Sequence, residues 1–364
     1  MRIALVQTPT APLDLEHTGG LEVVELNQLR VLRARGYAAH LYAAQVVGQM
    51  DGVCHLRDFG WRGRLTQFGY YWNLGRRERQ ADVFHGHYTP ALALTHPRKS
   101  VIHFHGMAVH GMPLYRRFAE RCHQAHLVFC ARWVMEHHQE LYPDFPDEHR
   151  HVIYNGVDHA AFCPPSEPRP EKSPVRIIFY AGWLPEKGVY ELLDAAAILA
   201  QRRSDFEILF GGSAFSHYRR EESDEIDRCV REKAARVPAV KLIGHIAHAD
   251  LPELLRSADI GVVPSVYEDP FPLVPLEMMG AGLPVVAFAA GGLKEAVVDG
   301  ESGILVPNRG VEALAKALER LVVDRQLRLR MGANARARVE RELNWDRHVD
   351  QLLALYERVA SANR

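Results

Sequence analysis

The chain has 364 residues, which suits two domains of roughly 150–200 residues rather than one small core. Hydrophobic residues make up 47% and charged residues 24%, the balance of an ordinary globular protein, and a net charge of −1 gives no reason to expect nucleic acid. The five cysteines, Cys54, Cys122, Cys130, Cys163 and Cys229, are scattered and form no Cys-x-x-Cys pair, so reduced thiols in a cytoplasmic protein are expected. The opening Met1-Arg2-Ile3-Ala4-Leu5-Val6-Gln7 is too short and too soon polar to read as a signal peptide. No run reaches the ~18 apolar residues of a membrane span, although peripheral contact with the inner membrane face stays open.

Short β-rich runs alternate with longer helical patterns. In the first half, strands are expected at Ile3–Gln7, Ala39–Tyr42, Val83–His85, Val101–Phe104, Leu127–Phe129 and Val152–Tyr154. Between the first two, Leu21 to Leu32 has helical apolar spacing and Gly36 closes it. The stretch from Phe162 to Pro174 holds five prolines and reads as an extended linker. The pattern then restarts, with strands expected at Arg176–Tyr180, Phe206–Phe210, Val240–Ile243, Ile260–Val263, Val285–Phe288 and Ile304–Val306. Such alternation argues for an α/β fold of parallel sheets covered on both faces. The tail from Trp345 to Ala362 keeps Val349, Leu352, Leu353, Leu355, Tyr356 and Val359 roughly on one helix face.

Three stretches carry chemistry. The first runs from Pro264 to Glu277, where an apolar strand feeds a loop with Glu268 and Asp269 and then a helix that contains Glu277. A carboxylate at the carboxyl end of a strand can accept two hydrogen bonds from a vicinal diol such as a ribose. The second runs from Tyr180 through Gly182 and Lys187 to Gly188, where a strand, a turn and a helix start suit a diphosphate. The third is Val101-Ile102-His103-Phe104-His105-Gly106, a strand that ends in His and Gly. Thr18-Gly19-Gly20, before the first helix, is a weaker signal, because two glycines also make a plain turn.

Together these stretches resemble the retaining glycosyltransferases of family 4, strongly from about Tyr180 to Val306 and more loosely before. The resemblance implies a GT-B fold: two Rossmann-like domains facing a cleft, with residues 1–165 an acceptor domain and 166–344 a nucleotide-sugar donor domain. Residues 345–364 would form a helix packing back toward the first domain. It implies that Glu277 holds the ribose, that Lys187 contacts the donor phosphates, and that His105 meets the donor sugar. Asp269 would hold sugar hydroxyls, with Glu268 in its place if the loop has one extra residue. Gly19, Gly20, Gly182, Trp183, Gly188, Phe271, Leu273 and Val274 would line the donor site, with Gly244 and Ile246 beside the base.

The chain departs from the family pattern at Trp183, where Arg is usual, and at Pro272, where Gly is usual. The first change removes a cation from the phosphate clamp and the second removes an N–H. No Asp-x-Asp motif is present, which fits a fold that works on diphosphates without a metal. His85, His87, His103 and His105 have strand spacing that imitates a metal site. With no Cys or acidic partner they are not expected to hold a metal, His103 reads as a packed strand residue, and no cofactor is expected. Aromatic and basic residues interleave from Arg57 to Arg79, including Trp61, Tyr70, Tyr71, Trp72 and Arg76; helix packing with a solvated Arg face is the expectation, acceptor binding the second. The partners implied are a nucleotide sugar and a hydroxyl acceptor. The alternatives are a nucleotide-sugar-binding relative without transfer activity, or a nucleotide-sugar hydrolase or epimerase.

Overall fold

Strands form where Val, Ile, Leu and Phe cluster in short runs between turn residues. The computed structural model describes all residues except 9–11, 15–18, 57–63, 107–118, 168, 171–172, 215–219 and 364. Its contacts divide the chain into two units, Met1–Gly156 with Trp345–Arg364, and Val157–Asn344.

Among the described residues the main sheet of the first unit has seven strands: β1 (Arg2–Val6), β2 (Ala38–Ala43), β3 (Val53–His55), β4 (Val83–His87), β5 (Ser100–Phe104), β6 (His126–Phe129) and β7 (Arg150–Val152). They pair in parallel in the order β3-β2-β1-β4-β5-β6-β7. The direction of winding reverses between β1 and β4, which makes that gap the switch point of a Rossmann-type sheet. Helix α1 (Gly20–Ala34) buries Val24, Leu29 and Leu32 on one face, as its spacing predicts. Helix α2 (Arg64–Arg77) buries Tyr70, Tyr71 and Leu74 and exposes Trp72. Helix packing therefore accounts for this part of the aromatic–basic segment, while Arg57 and Trp61 lie outside the described residues.

The second unit repeats the plan with β8 (Val175–Tyr180), β9 (Phe206–Gly211), β10 (Val240–Gly244), β11 (Ile260–Val263), β12 (Val285–Phe288) and β13 (Gly303–Val306). The order is β10-β9-β8-β11-β12-β13, again all parallel. Its switch point lies between β8 and β11. The helices that frame it are α3 (Val189–Ala200), after β8, and α4 (Leu273–Gly280), after β11; α5 (Arg325–Arg341) packs on α4. The last helix, α6 (Trp345–Ser361), belongs to the first unit, where it packs on α1. Among the described residues no helix is long and apolar enough to cross a membrane.

Two expectations shift. The second unit begins at Val157, ahead of the proline-rich stretch and not at residue 166. The reason is visible in the hydrogen bonds: the Val157 N–H donates to the Leu343 carbonyl at 3.0 Å, and Arg336 Nη1 donates to the carbonyls of His159, Phe162 and Gly280 at 2.7–2.8 Å. The last strand of the first unit is Arg150–Val152 instead of Val152–Tyr154, because the Tyr154 carbonyl accepts from His348 Nδ1 at 2.7 Å.

Candidate functional site

Strand β8 ends at Tyr180 and the chain turns at Gly182. Trp183 then points inward. It is 1% exposed, packs against Phe210, and donates its indole N–H to the Gly211 carbonyl at 3.2 Å. The indole belongs to the core and offers no side-chain surface to a ligand, which corrects its place among the donor-binding side chains. A short turn, Pro185–Lys187, leads to Gly188. Gly188 sits at φ +73°, and a Cβ there would lie 1.7 Å from the Pro264 carbonyl oxygen, so only glycine fits. Its N–H is already spent on the Pro185 carbonyl, so the N–H groups open to an anion are those of the first turn of α3.

The loop after β11 meets this turn. The Val266 N–H donates to the Glu186 carbonyl at 2.9 Å, which locks the two loops together. Lys187 Nζ donates to Asp269 Oδ2 and to the Tyr267 hydroxyl, both at 2.9 Å, and lies over the Tyr267 ring. Tyr267 completes the triangle by donating to Asp269 Oδ2 at 2.7 Å. Burial pushes the Lys187 ammonium toward losing its proton, but the Asp269 carboxylate and the Tyr267 oxygen outweigh it and its pKa is raised. Tyr267 is pushed up to about 12, by burial first and then by Asp269. Asp269 is buried, whereas Glu268 is exposed and accepts from the Gly291 N–H. Of the two acidic candidates, Asp269 is the one that shares space with Lys187. Phe271 is buried, and Leu273 and Val274 form the first turn of α4, whose N-cap is Pro272. Two N–H groups remain at that helix start, because Pro275 has none.

Glu277 lies one turn into α4 and is 5% exposed. Its Oε2 accepts from the Tyr180 hydroxyl at 2.5 Å and its Oε1 lies 3.3 Å from His248 Nε2. The Glu277 contact raises the pKa of half-exposed His248 against the lowering effect of burial. Burial and then Glu277 push Tyr180 well above the usual phenol range. Gly244 turns the chain after β10 at φ +72°, its carbonyl accepts from Gly212 at 2.7 Å, and Ile246 is half-buried beyond it. Lys187, Asp269 and Glu277 therefore gather at the carboxyl ends of β8 and β11, the two strands that flank the switch point.

In the first unit, Gly19 is the N-cap of α1 with extended backbone, and both Gly19 and Gly20 are exposed. A Cβ on Gly20 would meet nothing within 4 Å among the described residues. His105 follows β5 and its Nε2 lies 2.8 Å from His87 Nδ1. Burial, with His348 nearby, pushes its pKa down to about 3, so its imidazole is neutral at pH 7.

Two family models match in succession: "Glycosyltransferase Family 4" over residues 18–161 and "Glycosyl transferases group 1" over residues 165–338. The chain belongs to glycosyltransferase family 4. A glycogen synthase of Mycobacterium tuberculosis is 33% identical over 194 residues, 53% of this chain and 45% of that protein. The chain spans about half the length of this and other leading curated relatives. The fold is GT-B. Sucrose-phosphate synthase from Thermosynechococcus elongatus superimposes with a TM-score of 0.77 at 21% identity, over 100% of both chains. HepE from Anabaena, solved with UDP and glucose, gives 0.73 at 20% identity over 98% and 99%.

Three side chains that shape this family 4 site escape sequence reasoning. Tyr267 and Tyr180 look like ordinary strand-end aromatics, and His248 is one of 20 histidines. Tyr180 and His248 stand 97 and 29 residues from Glu277, so only the folded chain brings them to it.

Proposed function

We propose that this protein is a retaining glycosyltransferase that moves a sugar from a nucleoside diphosphate sugar to an acceptor hydroxyl. The observation that carries this reading is the gathering of a cation and two buried carboxylates at the switch point of the second unit. Lys187 and the first-turn N–H groups of α3 and α4 would neutralise the leaving diphosphate, a preorganised stabilisation of charge as it develops. Glu277 would accept from the ribose hydroxyls with the acceptor positions that Tyr180 and His248 leave open. Asp269 would take a hydroxyl of the donor sugar, and a ligand phosphate would replace it as the partner of Lys187. His105, neutral and hydrogen-bonded to His87, is assigned to the donor sugar on the family resemblance. The leaving phosphate would take the acceptor proton on the face from which it departs, so no protein nucleophile is required. A cytoplasmic site of action near the inner membrane face is part of the same proposal. HepE, solved with UDP, supports a nucleotide sugar as donor.

A second reading, binding without transfer, is favoured by Trp183, which stands where the family pattern has Arg and so leaves Lys187 without that neighbouring cation. Incubation with a panel of nucleoside diphosphate sugars, with and without hydroxyl acceptors, separates the two. Release of nucleoside diphosphate that needs Lys187 supports transfer; tight donor binding with no release supports the binding-only reading.

A further inference from the structure

We propose that the first unit holds a transition metal ion of the zinc class on His85, His87 and His103. Strand pairing explains how they meet. His85 and His87 stand two apart on β4 and so share a face of the sheet, and the parallel register sets His103 of β5 directly beside His87. All three are 0% exposed. One ring nitrogen from each lies within 4.8 Å of one from each of the others.

The hydrogen-bond inventory of these rings is the stronger observation. An imidazole has two nitrogens to satisfy. His85 spends Nδ1 on the Tyr356 hydroxyl and His87 spends Nδ1 on His105. Nε2 of His85, Nε2 of His87 and both nitrogens of His103 have no hydrogen-bond partner among the described residues. Buried nitrogens without partners are rare and call for an ion or a water. His85 and His87 show the pattern of a metal ligand, one nitrogen left for the ion and the other held by an outer partner that fixes the ring, Tyr356 for His85 and His105 for His87. His103 offers either nitrogen. His348 is excluded as a ligand, because its Nδ1 donates to the Tyr154 carbonyl and its Nε2 meets Gln28 Nε2 at 2.8 Å.

The donor set chooses the ion. Three imidazoles without carboxylate or thiolate suit Zn²⁺, Co²⁺, Ni²⁺ or Cu²⁺ and not Mg²⁺ or Ca²⁺. Tetrahedral Zn–N bonds of about 2.0–2.1 Å place ligand nitrogens about 3.3 Å apart, so the rings draw together by up to about 1.5 Å on binding. Hydroxide at the fourth position would remove one positive charge from the interior. The ion would tie β4 to β5 and, through Tyr356, to α6. Its role is structural, apart from the diphosphate chemistry of the second unit. The three-histidine set supplies the ligand count for which the sequence alone sought a Cys or a carboxylate.

The test uses untagged full-length protein, stripped with a chelator and then dialysed against Zn²⁺ or Co²⁺. The expected result is about one equivalent of metal retained after desalting, a higher melting temperature, and visible Co²⁺ absorption of a tetrahedral nitrogen site. His103→Leu and His87→Leu lose all three signals, while a His137→Gln control keeps them. Less than about 0.1 equivalent retained by the wild type, or uptake equal in the wild type and both variants, overturns the proposal. Should a variant not fold, the Co²⁺ spectrum of the wild type decides alone, and its absence overturns the proposal.

Discussion

Replacing Glu277 with Gln isolates the contact on which nucleotide recognition is argued to rest. The carboxylate offers about four acceptor positions. Tyr180 occupies one on Oε2 and His248 faces one on Oε1, which leaves one on each oxygen for a vicinal diol. The amide keeps one acceptor oxygen and no charge. Losing charge-assisted bonds of this kind costs about 1.5–3 kcal/mol, or roughly 10- to 140-fold in Kd. The assay is calorimetric titration of both proteins with the nucleoside diphosphate that binds and with its 2′,3′-dideoxy counterpart. The variant should lose that factor on the ribose nucleotide and almost nothing on the dideoxy form, a coupling that the double cycle measures directly. Equal losses on both nucleotides would show that Glu277 does not touch the diol, and the reasoning from its geometry would fail.

Other substitutions probe the frame around the site. Trp183→Arg, which restores the family residue, should destabilise the fold by about 3–5 kcal/mol in chemical denaturation without tightening nucleotide binding, because the indole fills the core. His138 should make the first unit acid-labile. It is buried against Phe104, Phe129, Tyr142 and Phe145, and burial and then Arg150 push its pKa down to about 3. A pKa lowered on folding means stability that is full above about 6.5 and is lost as pH falls toward 3. At pH 5 the loss from this residue is about 2 kcal/mol, and His138→Phe should reduce the pH dependence of unfolding by that amount.

Much of the site was legible because its residues sit on local patterns. Strands Ile260–Val263 and Val285–Phe288 are continuous apolar runs between turn residues, and buried parallel strands carry that composition. Lys187 lies in the turn after the apolar strand Val175–Tyr180, and Glu277 in the helix after Ile260–Val263, so their place near strand ends could be read from order alone. What was hidden depends on register and packing. Nothing local says that Trp183 turns inward, or that the Gly188 N–H is consumed by its own turn. The three-residue strand Val53–His55 is too short to show a period. The meeting of His87 with His103 follows from the pairing of β4 and β5, which the spacing within either strand does not contain.

The central claim is that the second unit binds a nucleoside diphosphate through Lys187. The most direct measurement is a thermal-shift panel of nucleoside diphosphates and their sugars on wild type and Lys187→Ala. Ligand at 100 times its dissociation constant should stabilise the protein by about 2.7 kcal/mol. The account predicts a shift with at least one nucleotide that is lost or strongly reduced in Lys187→Ala. No shift with any nucleotide, or one of equal size in the variant, would contradict it.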